Sequence, residues 1–137
     1  MKMRFLLVVV GLLLAGCSMS KDTELAEAQV PSFHEQWNSG RFDDIYSLSS
    51  QDLKAATSQQ DFVSLLEAIS RKLGKVKTSS KATSNTDYNH ITGTFVNLTY
   101  KSVFDNGPAD EQFIYRLDHG APKLVEYHIN SIALVTR

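Results

Sequence analysis

The chain has 137 residues, 42% of them hydrophobic and 21% charged, with a formal net charge of −1. This suffices for one small domain with its own core and leaves no room for two. The near-balance of charge excludes a field that would gather nucleic acid, and the single Cys excludes both an intrachain disulfide framework and a Cys-rich zinc site.

The first residues read as an address. Lys2 and Arg4 start the chain, Phe5 to Leu14 is apolar apart from Gly11, and Ala15 and Gly16 lead into Cys17. A basic start, a short apolar run and a small-residue exit describe a secretory signal peptide; the run falls far short of the roughly 20 residues a membrane span needs. Leu14-Ala15-Gly16-Cys17 resembles the bacterial lipobox. The resemblance implies cleavage between Gly16 and Cys17 and a diacylglyceryl group on the Cys17 thiol. The anchor would then be made of acyl chains, since loss of Lys2 and Arg4 leaves acids in excess. It divides the chain into a cleaved leader at 1–16, a lipidated tether at 17–22 and one domain at 23–137. Ser18, where Asp would retain such a protein, implies the outer membrane of a diderm host, with the domain facing the periplasm. Ser18 to Asp22 reaches at most about 17 Å when extended.

Helices come next. Leu25, Ala28, Phe33 and Trp37 mark a helix within Thr23 to Asn38, which Pro31 either opens in its first turn or kinks, and which Gly40 stops. Phe42, Ile45 and Tyr46 form a short second stripe between Arg41 and Leu48, and Asp52 to Ala56 adds a turn. Ser58 is a natural N-cap for a third helix carrying Phe62, Leu65, Leu66, Ile69 and Leu73, with Arg71 and Lys72 at its negative end and Gly74 as its stop.

After Gly74 the period changes from helix to strand. Lys75 to Asp87 alternates weakly and predicts a polar outer strand; Ile91 to Phe104 is rich in Thr, Val, Phe and Tyr and predicts a long one. Asp105-Asn106-Gly107-Pro108 is a turn. Glu111 to Leu117 places Phe113, Tyr115 and Leu117 on one face and Gln112, Arg116 and Asp118 on the other. His119-Gly120-Ala121-Pro122 turns again. Leu124 to Ile132 closes the series with Val125, Tyr127 and Ile129 on one face, and the change of parity beyond Asn130 predicts a bulge or bend.

Helices grouped before hairpin-linked strands predict an α+β domain, its helices packed on one face of a curved antiparallel sheet of about four strands. Trp37-Asn38-Ser39-Gly40-Arg41-Phe42, the short helix through Tyr46, the third helix and the strand run ending Lys123-Leu124-Val125-Glu126-Tyr127-His128-Ile129 resemble the cone-shaped fold of nuclear transport factor and ketosteroid isomerase. The likeness covers residues 23 to 135 and is closest to small exported domains of bacterial lipoproteins. A cystatin-like helix-on-sheet module is the alternative architecture. The superfamily holds enzymes, binders and dimerisation modules, so the fold alone decides no function.

Little in the sequence carries chemistry. His34, His90, His119 and His128 have no metal-ligand spacing, so no metal and no cofactor is expected. Asp118, Glu126 and His128 alternate away from the apolar faces of their strands, which argues against a buried general base. Trp37, Tyr46, Tyr100, Tyr115 and Tyr127 could line a cone-shaped pocket or simply fill a core. Lys75, Lys77 and Lys81 read as a solvated edge that discourages strand addition. The expectation is a non-catalytic binding or protein-interaction domain, anchored to the membrane at Cys17 and without a nucleic-acid partner. The alternatives are a cone-fold enzyme for a small apolar molecule and a structural homodimer.

Overall fold

The computed structural model describes residues 21–136. Gly16, Cys17, the leader and the first part of the tether lie outside the described residues.

Residues 21–27 are helical and break at Ala28. Four helices follow: α1 (Gln29–Asn38), α2 (Phe42–Ser47), α3 (Gln51–Ala56) and α4 (Gln59–Leu73). Pro31 is the third residue of α1, where its missing N–H costs nothing, because first-turn donors have no partner inside the helix. The stripe that α1 buries is Val30, Phe33, His34 and Trp37. The preceding turn inserts Ala26, leaving Ala28 exposed, contrary to its expected place on the stripe. Helix α4 is capped by the Ser58 hydroxyl, which accepts from Asp61 N at 3.1 Å. It buries Phe62, Leu66 and Leu73. Leu65, expected on that face, is 59% exposed; a single helix resting on a curved support buries a stripe narrower than the apolar residues it carries.

Four strands form an antiparallel meander in the order β1-β2-β3-β4: β1 (Val76–Asn89), β2 (Gly93–Phe104), β3 (Gly107–Asp118) and β4 (Ala121–Asn130). The domain is α+β, with the helices on one face of an open curved sheet. Val96, Leu98 and Phe104 of β2 point into the core with Phe113 and Tyr115 of β3 and Leu124 of β4. The opposite face is mixed: the Arg116 guanidinium lies 5.6 Å from the Phe95 ring centre, and Gln112 donates to Asn97 at 3.0 Å.

The bulge does not fall beyond Asn130. Ile114 pairs with Glu126 and Tyr115 with Leu124, so Val125 is the extra residue on β4 and Leu124 takes the inward place expected of Val125. The parity change after Asn130 has another cause: Ser131 accepts from Ala133 N and starts a 3-10 turn over Ile132–Leu134, which ends the strand.

The junction of helices and sheet is pinned at one corner. The Trp37 indole donates to Gly74 O at 3.0 Å. The Asn38 side chain accepts from Val76 N at 2.8 Å and donates to Val76 O at 3.1 Å, behaving as one more residue of strand pairing at the free edge of β1. Gly74 itself has φ +80°, and a Cβ there would lie 2.6 Å from an Asp105 carboxylate oxygen that accepts from Lys75 N. Gly40 has φ +69° with open space around it. Gly40→Ala should therefore lose only the cost of a left-handed residue, about 1–2 kcal/mol. Gly74→Ala should lose more, because the clash with Asp105 adds to that cost. The check is the urea midpoint of each variant at unchanged denaturant slope.

Candidate functional site

The chemistry of this domain gathers around one acid. Glu111 shares its face of β3 with Phe113 and Tyr115, and its side chain is 0% exposed. A carboxylate taken out of water needs several kcal/mol of compensation, from donors placed around it. Three elements supply them. Ser102 of β2 donates to Oε1 at 2.5 Å, the Tyr127 phenol of β4 donates to Oε2 at 2.6 Å, and His34 Nε2 of α1 lies 2.9 Å from Oε1. Pairing of β2 with β3 sets Tyr100 opposite Glu111, and pairing of β4 sets Tyr127 opposite Phe113. Ser102 and Tyr127 therefore reach the acid on the diagonals, where long side chains still touch. As a carboxylate, Glu111 has acceptor sites for all three, and His34 then donates through Nε2.

The rings around this node hold it in place. Phe113 meets Phe33 edge-on at 5.0 Å between ring centres, and it contacts Tyr127 at 5.1 Å and His34 at 5.9 Å. Burial raises the Tyr127 phenol well above its ordinary value of 10.0, and the neighbouring Glu111 carboxylate raises it further. Tyr115 is raised by burial first, and then by Tyr100 and Glu111. Tyr100 is raised by burial and by Glu27.

A groove of about 530 Å³ runs between α1 and β1. His34, Tyr100, Asn38, Ser79, Lys77 and Glu35 are among the side chains that line it, over an apolar strip of Val30, Pro31 and Val76. Two routes lead from the groove to Glu111. One is the His34 ring. The other is Ser79, whose hydroxyl lies 2.8 Å from that of Ser102. Glu111 and Tyr127 do not line the groove. Among the described residues no group of three His, Cys, Asp or Glu could hold a metal ion.

The five aromatic residues singled out from the sequence separate. Tyr100 lines the groove. Trp37, Tyr115 and Tyr127 belong to the packed interior. Tyr46 is half-buried against Phe62 at 5.6 Å, with its hydroxyl donating to Thr57 O. Cys17 and Gly16 lie outside the described residues. Asp118, Glu126 and His128 are exposed, and His128 lies 2.9 Å from Glu126 on the outer face. Lys81 and Lys77 of the basic stripe face Glu27 and Asp105.

Glu111 is not among the residues singled out from the sequence, and His34 figures there only as a histidine without metal-ligand spacing. Both had a visible signal: Glu111 continues the inward parity of Phe113 and Tyr115 by one step, and Val30, Phe33, His34 and Trp37 stand at the i, i+3, i+4, i+7 spacing of a buried helix face.

Four helices over an open, curved four-stranded meander define the NTF2-like class of domains. Residues 25–110 match the family described as the NTF2-like N-terminal transpeptidase domain, and the chain belongs to that family. Penicillin-binding protein 3 of Bacillus subtilis (strain 168) is similar to it: 39% identical over 66 residues, which is 47% of this chain and 9% of that protein. The chain therefore matches only a small part of that relative's length.

The raised phenols have a consequence at alkaline pH. In the unfolded chain these tyrosines ionise near 10.0, whereas in the fold Tyr100, Tyr115 and Tyr127 resist it. Their contribution to stability is complete below that value and is lost progressively as pH rises from it toward the higher folded-state values. Tyrosinate absorbance should show Tyr115 and Tyr127 ionising together with loss of far-UV circular dichroism and not before it, whereas Tyr100, which lines the groove, should ionise in the folded chain. Tyr127→Phe, which removes one donor from Glu111, should cost about 1.5–3 kcal/mol in urea unfolding.

Proposed function

We propose that the protein is a bacterial envelope lipoprotein, held to the membrane through acylated Cys17, whose NTF2-like domain binds a partner in the groove between α1 and β1 without chemical turnover. The observation that carries the non-catalytic part is the placement of Glu111. A general base must come within hydrogen-bond reach of the proton it removes. Glu111 is sealed from solvent, is committed to three donors of its own chain, and stands behind the groove wall. Membership of a family described as an N-terminal domain of transpeptidases supports the same reading. The anchor is supported by the basic start, the apolar run and the Leu14-Ala15-Gly16-Cys17 motif. Among the described residues no helix is long and apolar enough to cross a membrane. In a diderm host, Ser18 directs the protein to the outer membrane, facing the periplasm.

A second reading has one observation in its favour. His34 borders the groove and is braced from behind by Glu111, an arrangement that would orient an imidazole as a base toward a small apolar molecule. His34→Gln separates the two. Under the binding reading it lowers stability and leaves no reaction to lose; a compound consumed by the wild type and spared by the variant would establish the enzyme.

Cys17→Ser tests the anchor. It should abolish incorporation of labelled acyl chains and release the protein from the membrane fraction. Unchanged labelling and retention would overturn the proposal.

A further inference from the structure

We propose that the tip of the β1–β2 hairpin, Tyr88 to Thr92, is a second contact with the lipid bilayer, made at the end of the domain from which the anchor leaves. The inference rests on the reading of Cys17 as the lipid-bearing residue.

The N-terminal helical segment runs alongside β1 in the opposite direction. Glu27 pairs with Lys81 at 2.5 Å, and further toward the N-terminus the Thr23 hydroxyl lies 2.8 Å from that of Thr86. Moving back along the chain from Glu27 to Thr23 thus moves outward along β1, toward the hairpin tip. The described residues begin at that end. From Thr86 to Asn89 the strand advances about 10 Å. Lys21 and Asp22 are helical and rise about 3 Å beyond Thr23, and the four steps from Lys21 back to Cys17 reach at most about 14 Å, about 17 Å in all. The acylated Cys17 can therefore lie no more than about 7 Å beyond the tip, which is about the depth of one headgroup layer.

What the tip carries suits that depth. Ile91 is 93% exposed and Tyr88 is 65% exposed. The His90 ring packs edge-on against Tyr88 at 5.0 Å. Tyrosine favours the membrane interface and isoleucine the hydrocarbon beneath it. Two of the turn's amides are satisfied within it: Ile91 N and Thr92 N both donate to Asn89 Oδ1, at 2.8 and 3.1 Å. Donors closed internally in this way lose little on leaving water. Near the same end Lys21 stands against Asp22 and Asp87, a slight acidic excess that gives no attraction to anionic lipid. Neutral lipid should therefore suffice, and the occupant is the bilayer itself rather than a particular headgroup.

The test uses the full lipid-modified chain in phosphatidylcholine vesicles, with a polarity-sensitive fluorophore on Ile91→Cys. Ile132→Cys is the control. Ile132 is also apolar and 72% exposed, but it lies at the far end of the sheet, roughly 36 Å away along a strand of β2's length. Doxyl-labelled lipid should quench the probe at 91 and spare the probe at 132. Equal behaviour at the two positions, with the protein acylated and floating with the vesicles, would overturn the tip contact and leave the anchor standing. A chain without acyl mass that stays in the supernatant would overturn the anchor, and this proposal with it. A probe at 91 indifferent to lipid but shifted by added envelope proteins would assign the tip to a protein partner and overturn the bilayer contact.

Discussion

The arrangement of this domain depends on a carboxylate placed where carboxylates are expensive. Glu111 is buried in the middle of the sheet and is tolerable there only while His34, Ser102 and Tyr127 all reach it. Each comes from a different element, so satisfying the acid fixes α1 above the sheet and fixes β2 and β4 against β3. A slip of β3 by one residue would turn Glu111 to solvent and Phe113 with it, and would leave three polar groups facing a core without a partner. The hydrophobic contacts around Phe113 favour compaction of any kind; the polar node selects one compact arrangement.

The same commitment shapes what the site can do. An acid fully engaged by its own chain is a poor reagent, and the groove receives its influence only through His34 and through the Ser79–Ser102 pair. The groove opens beside the corner where Trp37 and Asn38 pin the C-terminal end of α1, with residues 76–79 of β1 as its other wall. Those two residues close the fold at one corner. The long, solvated β1 carries the hairpin tip to the other end of the described domain, the end near Thr23.

The family match ends at Asp110, one residue short of Glu111. Of the node, His34 and Ser102 fall within the matched segment, whereas Glu111 and Tyr127 fall beyond it. The structural role of the acid is therefore argued from this chain's own geometry. Membership of the family bears on the kind of domain, and the node bears on how this example of it is held together.

Local signals were enough for the skeleton. Ser58 and Gly74 bracket a helix because a hydroxyl can cap first-turn amides and glycine can turn left-handed. The Asp105-Asn106-Gly107-Pro108 segment turns for similar reasons, and the alternation of Phe113, Tyr115 and Leu117 with Gln112, Arg116 and Asp118 declares a strand with two faces. The expectation of a leader and a lipobox likewise comes from consecutive residues. The position of Pro31 left two conformations open, and the chain chose a break at Ala28 followed by a new helix. What no run of neighbours could decide was which polar residues would meet. His34 and Glu111 are 77 positions apart, and Ser102 and Tyr127 approach the acid only through the register of two separate strand pairings. The bulge at Val125 belongs to the same category, since an extra residue on one strand is defined only against its partner. Propensity and pattern act over a few residues, whereas the pairing of buried charge with its donors is settled by the packing of the whole domain.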